Sequence, residues 1–209
     1  MDENPELPRQ PLGDFLGELA ARLPAPGAGA VAAIEAALAA SLVAMVGRFT
    51  TDEEHAPTVR EIVAGADARR TACLEAAADD ETAFAAVAEA MKLPRDTAEE
   101  QESRRCTLAG AQREAARPPR AILESAAELV CLAERVLPIA NRNLVSDVAA
   151  ATAAARAAAT TALLAVETNL LDLGDEQAAA DLAAAAATAE DVARRAAALE
   201  AAVREAIRR

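Results

Sequence analysis

Pro24-Ala25-Pro26-Gly27-Ala28-Gly29-Ala30 runs straight into VAAIEAALAASLVAMVGR, residues 31–48. Two prolines and two glycines make a tight lead-in. The run behind them is almost pure small-residue helix former, with Glu35 as its one acidic interruption. Alanine is the best helix former, so this stretch predicts a helix to about Thr50 that is packed on most sides. One reading of the join is an ordinary buried helix behind a Pro/Gly loop. The other is a ligand site, because bare backbone amides at the positive end of a helix receive an anion or a carbonyl.

The rest of the composition agrees with a helical fold. Hydrophobic residues make up 53% of the 209, yet aromatics are 1%, with no Trp and no Tyr. The core must therefore be built from Ala, Leu and Val, and an all-α fold is expected. Small side chains bury little apolar area each, which favours burying more in an oligomer. The net charge of -13 argues against nucleic acid and against anionic membrane surfaces, both of which call for a basic face. Cys73, Cys106 and Cys131 are scattered and odd in number, with neither disulfide nor zinc spacing. The polar, Pro-rich start to Pro11 does not read as a signal peptide. Val31–Val46 reads as too short and too Ala-rich to span a bilayer. A cytosolic, thiol-reduced protein is expected.

Along the chain, residues 1–11 read as a flexible arm and 12–209 as a single helical domain. A short helix puts Leu12, Phe15, Leu16 and Leu19 on one face. After the second helix and an acidic loop, a third runs from about Thr58 to Met91. Its stripe is Val59, Ile62, Ala66, Cys73, Ala77, Asp80, Phe84, Val87 and Met91, at helical spacing. A charged helix begins near Thr97 and stops at Pro118-Pro119. The next carries Ile122, Ala126, Leu129, Ala133 and Val136. A long helix spans about Leu144–Leu173, closed by Gly174. The last, from about Glu176, carries Val192, Ala196, Leu199, Val203 and Ile207. The whole reads as a multi-helix bundle with short connections.

Asp80 breaks the pattern most sharply, because it stands on an apolar stripe where a hydrophobe is expected. A carboxylate sequestered there is costly unless it is paired or functional; alternatively the stripe drifts into solvent beside Asp79 and Glu81. Asn141, Asn143, Ser146 and Asp147 gather at a helix start, as caps or as a polar pocket. Asp147 and Asn169 lie about 33 Å apart on one helix at 1.5 Å per residue. If both act, they serve different ends of a ligand or different subunits; otherwise one is structural. Arg104 pairs with Glu100 at i,i+4, or faces a ligand. His55, the sole histidine, sits in an acidic loop.

These residues, taken together, resemble the methenyltetrahydrofolate cyclohydrolase / formiminotetrahydrofolate cyclodeaminase family, from about Leu12 to Leu173. The family's Pro-Thr-Pro-Gly-Gly-Gly-Ser loop is similar to Pro24–Ala30, with Ala28 for its middle Gly and Ala30 for its small hydroxyl residue. Its Asp-x-x-Ala-Phe motif matches Asp80, Ala83 and Phe84. Its Leu-Pro-x-x-Thr-x-Glu-Glu-Lys-x-x-Arg motif matches Leu93-Pro94, Thr97, Glu99-Glu100 and Arg104, with Gln101 for the lysine. Its Asn-x-Asn-x-x-Ser-Asp motif matches Asn141, Asn143, Ser146 and Asp147, and a later Asn matches Asn169. Its Lys-Lys-Tyr patch is replaced by Thr51-Asp52-Glu53-Glu54-His55.

The resemblance implies an intertwined homodimer of helical bundles. It implies hydrolysis of a methenyl bridge on tetrahydrofolate, or closure of a formimino group with loss of ammonia, without metal or redox cofactor. It assigns catalysis to the carboxylates Asp80 and Asp147. Substrate contacts fall to Pro26, Gly27, Gly29, Arg104, Asn141, Asn143 and Asn169. Two other readings stay open: the same fold working on a smaller non-folate amidine or imine, and a non-catalytic helical dimer that binds a partner.

Overall fold

The computed structural model describes residues 10–208. The arm expected over residues 1–11 falls outside that range except at its last two positions. The described chain is helical, without strands. Its α-helices are α1 (Leu12–Leu19), α2 (Ala28–Arg48), α3 (Ala56–Met91), α4 (Ala98–Ala115), α5 (Arg117–Val136), α6 (Val145–Leu170) and α7 (Glu176–Arg208). The expected elements are all present, with ends within a few residues of those read from the sequence.

α2 is the central helix, packed against α3, α5 and α6; α6 in turn packs on α5 and α7. Its burial follows from its sequence. Alanines on nearly every side let neighbouring backbones approach, so twelve of its residues are buried, Ala30, Ala36, Ala40 and Ala44 among them. The larger filling comes from Ile62, Ile122, Leu129, Leu170 and a set of valines, all fully buried. Each such Leu or Ile contributes about 1.5–3 kcal/mol relative to exposure. By length and apolar composition α2, like Arg142–Leu173, is sufficient to cross a membrane, which corrects the expectation that it is too short. In this fold other helices cover most of it.

Local chemistry sets the helix ends. Thr97 accepts from the Glu100 amide at 3.1 Å, and the Glu100 carboxylate accepts from the Thr97 amide at 3.0 Å, a reciprocal cap that starts α4. Pro118 and Pro119 occupy the first turn of α5, so they open that helix instead of stopping α4 at a distance. A 3-10 turn, Leu171–Leu173, follows α6 and ends at Gly174, whose φ of +66° is a left-handed cap. Salt bridges Arg69–Glu128, Arg135–Glu61 and Arg120–Asp181 link α3 to α5 and α5 to α7. They lie at or near the surface, with Asp181 the most sheltered partner at 20% exposure, and contribute little beyond alignment.

Two stripes depart from expectation. On α1 only Phe15 is buried, while Leu12 and Leu16 face out. On α3 the stripe divides. Val59, Ile62, Ala66, Cys73 and Ala77 enter the core, and Val87 is buried further on. Asp80 is half-buried, while Phe84 and Met91 are 46% and 55% exposed. α3 has 36 residues, so its second half outruns the bundle and is covered mainly by α4, of which only Ala115 is buried.

Candidate active site

The divided stripe of α3 opens onto a cleft of about 340 Å³, within the range of small-molecule sites. Its walls come from four places. The loop into α2 and that helix's first turn supply Pro24, Ala25, Gly27, Ala28 and Gly29; α3 supplies Asp80, Glu81, Phe84, Val87 and Met91. α4 adds Gln112 and Ala115, and α6 adds Leu164, Ala165, Thr168 and Asn169. Most of the lining is apolar, and the polar groups are few.

Asp80 lies against the first turn of α2. A Cβ on Gly29 would overlap both of its carboxylate oxygens. Gly29 is therefore a matter of space, not of backbone freedom: only hydrogen fits between the α2 backbone and the carboxylate. A Cβ on Gly27, the N-cap, would meet nothing within 4 Å. Ala28 begins α2 and is exposed, and no residue but Gly takes a positive φ among those described. The methyl of Ala28 therefore costs the loop nothing in backbone strain. The Ala25-Pro26 peptide is cis, and Pro26 lies beside the cleft lining without joining it.

Burial pushes the Asp80 carboxyl above its ordinary value of 3.8, and the neighbouring charge of Glu81 adds to the rise. Glu81 is raised likewise, first by burial and then by Glu18 on α1. Neither carboxylate has a salt bridge among the described residues. Asn169 spends its amide Nδ2 on two backbone carbonyls, Ala165 at 2.9 Å and Ala115 at 3.2 Å. Its Oδ1 is the group left to offer a ligand.

The cleft thus gathers Gly27, Gly29, Asp80 and Asn169 from the residues singled out in the sequence. Arg104 stands at its rim. It donates to the Met91 carbonyl at 3.1 and 3.4 Å, closing the end of α3 instead of pairing with Glu100, which is engaged in the α4 cap. The other polar group lies elsewhere. Asn141 accepts from the Asn143 amide at 3.0 Å in an exposed turn, and Asp147 is in the first turn of α6. Asn169 is in the last turn of the same helix, about 33 Å away. Within one chain Asp147, Asn141 and Asn143 do not line the cleft.

Sequence reasoning missed Glu81, Gln112 and Thr168. Glu81 and Thr168 adjoin the chosen Asp80 and Asn169, so adjacency was the available signal. Gln112 had none, because α4 carries no apolar stripe to orient it. Among the described residues no three His, Cys, Asp or Glu side chains gather as a metal site.

Comparison with known proteins finds relatives over most of the chain. Residues 11–188 match the family model described as formiminotransferase-cyclodeaminase. The chain is 35% identical over 172 residues to the formimidoyltransferase-cyclodeaminase of Mus musculus, covering 79% of this chain but 31% of that protein. It therefore spans about a third of the length of such relatives. It is 34% identical over 165 residues to a methenyltetrahydrofolate cyclohydrolase of Methylorubrum extorquens, covering 77% of this chain and 79% of that one. The crystal structure of a formiminotetrahydrofolate cyclodeaminase from Thermotoga maritima superposes with a TM-score of 0.81 at 27% identity, over 95% of this chain and 99% of that chain.

Proposed function

This chain belongs to the formiminotransferase-cyclodeaminase family, and from that premise we propose that it acts on a tetrahydrofolate carrying a one-carbon bridge or a formimino group. The observation that carries the reading is Asp80, a carboxylate held half out of water against the α2 amide end, in a cleft with apolar walls. A carboxylate so placed has no partner of its own to neutralise it. It is suited to face an electron-poor amidinium carbon.

In the cyclohydrolase direction, water adds to the methenyl carbon and Asp80 accepts the water's proton. The carbon–nitrogen bond then opens to leave a formyl group. In the cyclodeaminase direction, the second folate nitrogen attacks the protonated formimino carbon, its proton passes to the departing nitrogen, and neutral ammonia leaves while the new methenyl bridge keeps the positive charge. Both pass through a centre whose positive charge a nearby carboxylate stabilises. Phe84, Met91 and Leu164 supply apolar surface for a ring, and Asn169 an acceptor for one of its N–H groups. The same reading takes the protein as cytosolic, with no resident metal or redox cofactor.

A homodimer completes it. Leu38, Phe49 and Leu171 are large, apolar and more than half exposed, and covering them favours association. Asp147, Asn141 and Asn143 then contribute to a cleft only from a second subunit. The test is turnover. Wild type should bleach methenyltetrahydrofolate absorbance faster than buffer, and Asp80→Asn should lose activity by about a thousandfold while keeping its helical circular dichroism. Unchanged turnover in that variant removes Asp80 from the mechanism.

A further inference from the structure

The polar lining of the cleft is lopsided. Asp80 and Glu81 bring two carboxylates from successive positions of α3, and no Lys, Arg or His lines the cavity. Two cations stand outside the lining. Arg104 donates to the Met91 carbonyl, and Arg113, next to Gln112, is paired with Asp175. Glu18 adds further negative charge from α1. Asn169, with both amide hydrogens spent, offers an acceptor as well. A neutral or anionic ligand head would leave these carboxylates facing apolar walls without compensation. A head with a positive charge and N–H donors would satisfy them together.

We propose that Glu81 is a specificity-determining residue of this cleft, which with Asp80 selects the cationic amidinium form of a ligand over the neutral amide of the same shape. This deepens the reading above and rests on the same cleft. In the cyclohydrolase direction it gives the cleft a reason to hold the charged methenyl head and to release the neutral formyl product; in the cyclodeaminase direction substrate and product heads are both cationic, and the pair favours each over a neutral amide. Asp80 faces the reacting carbon. Glu81, partly exposed in the cleft wall, acts through attraction that solvent weakens without abolishing, which sets the size of the effect expected below. Isosteric replacement of one carboxylate by an amide keeps the shape and removes the field.

Binding of benzamidinium and of neutral benzamide, two probes of one shape, tests this by calorimetry on the full chain. Wild type should bind the amidinium at least about tenfold more tightly than the amide. Glu81→Gln should cut that ratio by about threefold or more with benzamide affinity unchanged. Glu81→Ala should do the same if the glutamine variant folds poorly. An unaltered ratio in both variants overturns the proposal, as does equal binding of the two probes or binding of neither by wild type. Methenyl- and formyl-tetrahydrofolate run beside them separate the two ideas. Amidinium preference without folate binding sinks the folate reading and leaves charge selection standing. Folate turnover with a ratio indifferent to residue 81 does the reverse.

Discussion

The two ends of α6 carry the same kind of residue and do different things. Near its C-terminus Asn169 is anchored by two backbone carbonyls and lines a cleft with Asp80 across from it. At its N-terminus Asp147 sits in the first turn behind an exposed Asn141–Asn143 turn. Both ends are polar, and both match motifs of one family. The Asn169 end lines the cleft that holds Asp80, and Asp147 does not. What marks the first end is its neighbours: the α2 lead-in and the second half of α3 wall it into the cleft. A motif fixes residue types, but packing decides whether they face a ligand.

The largest expected effect tests the walled end, namely the roughly thousandfold loss in Asp80→Asn given above. The next tests the other end. Asp147→Asn alone should also lose most activity if its role is played across a subunit boundary. Mixing Asp80→Asn with Asp147→Asn protein, with exchange of subunits, should then restore about a quarter of wild-type turnover, because half the dimers hold one intact site. A mixture no better than its parents would end the division of labour between the two ends.

A smaller effect separates the two glycines at the start of α2, Gly27 at the N-cap and Gly29 in the first turn. Gly29→Ala should displace the Asp80 carboxylate, which overlaps the new methyl. The obstacle is a movable side-chain end and not backbone, so folding should survive while kcat falls by about ten- to a hundredfold. Gly27→Ala meets open space and should stay within about threefold of wild type. Equal losses in the two variants would show that loop shape, not the seating of Asp80, is what matters.

Much of this was legible in the sequence. Scarcity of aromatic side chains and abundance of alanine left little alternative to packed helices, and Gly174, Thr97 and the prolines marked their ends. Asp80 was visible as a polar break in an apolar period. The fate of Phe84 and Met91 was not. Period alone says that residues share a face, and α3 keeps its period while passing from the core to the cleft. Where a long helix leaves its bundle depends on the lengths of its partners, which no local pattern records. The approach of α2 to Asp80 was hidden for the same reason, since Gly29 and residue 80 lie far apart in the chain.

The smallest effect bears on what the walled end costs. The Asp80 carboxyl has a raised proton affinity in the folded chain, chiefly from burial and then from Glu81. The folded state therefore binds that proton more tightly than the unfolded chain does. Between the ordinary value of 3.8 and the raised one, stability falls as pH rises, and above the raised value the penalty is complete. Asp80→Asn removes a charge that has no partner, so at neutral pH its Tm should exceed wild type by a few degrees. The partial exposure of the group keeps that gain modest. Scans at descending pH should bring the two melting curves together as wild type takes up its proton. The opposite sign, a variant less stable at neutral pH, would mean that the carboxylate is held by favourable interactions, and Asp80 would lose the burial cost that marks it as catalytic. A variant that gains stability while losing turnover would instead mark the walled end as the place where this fold gives up stability for chemistry.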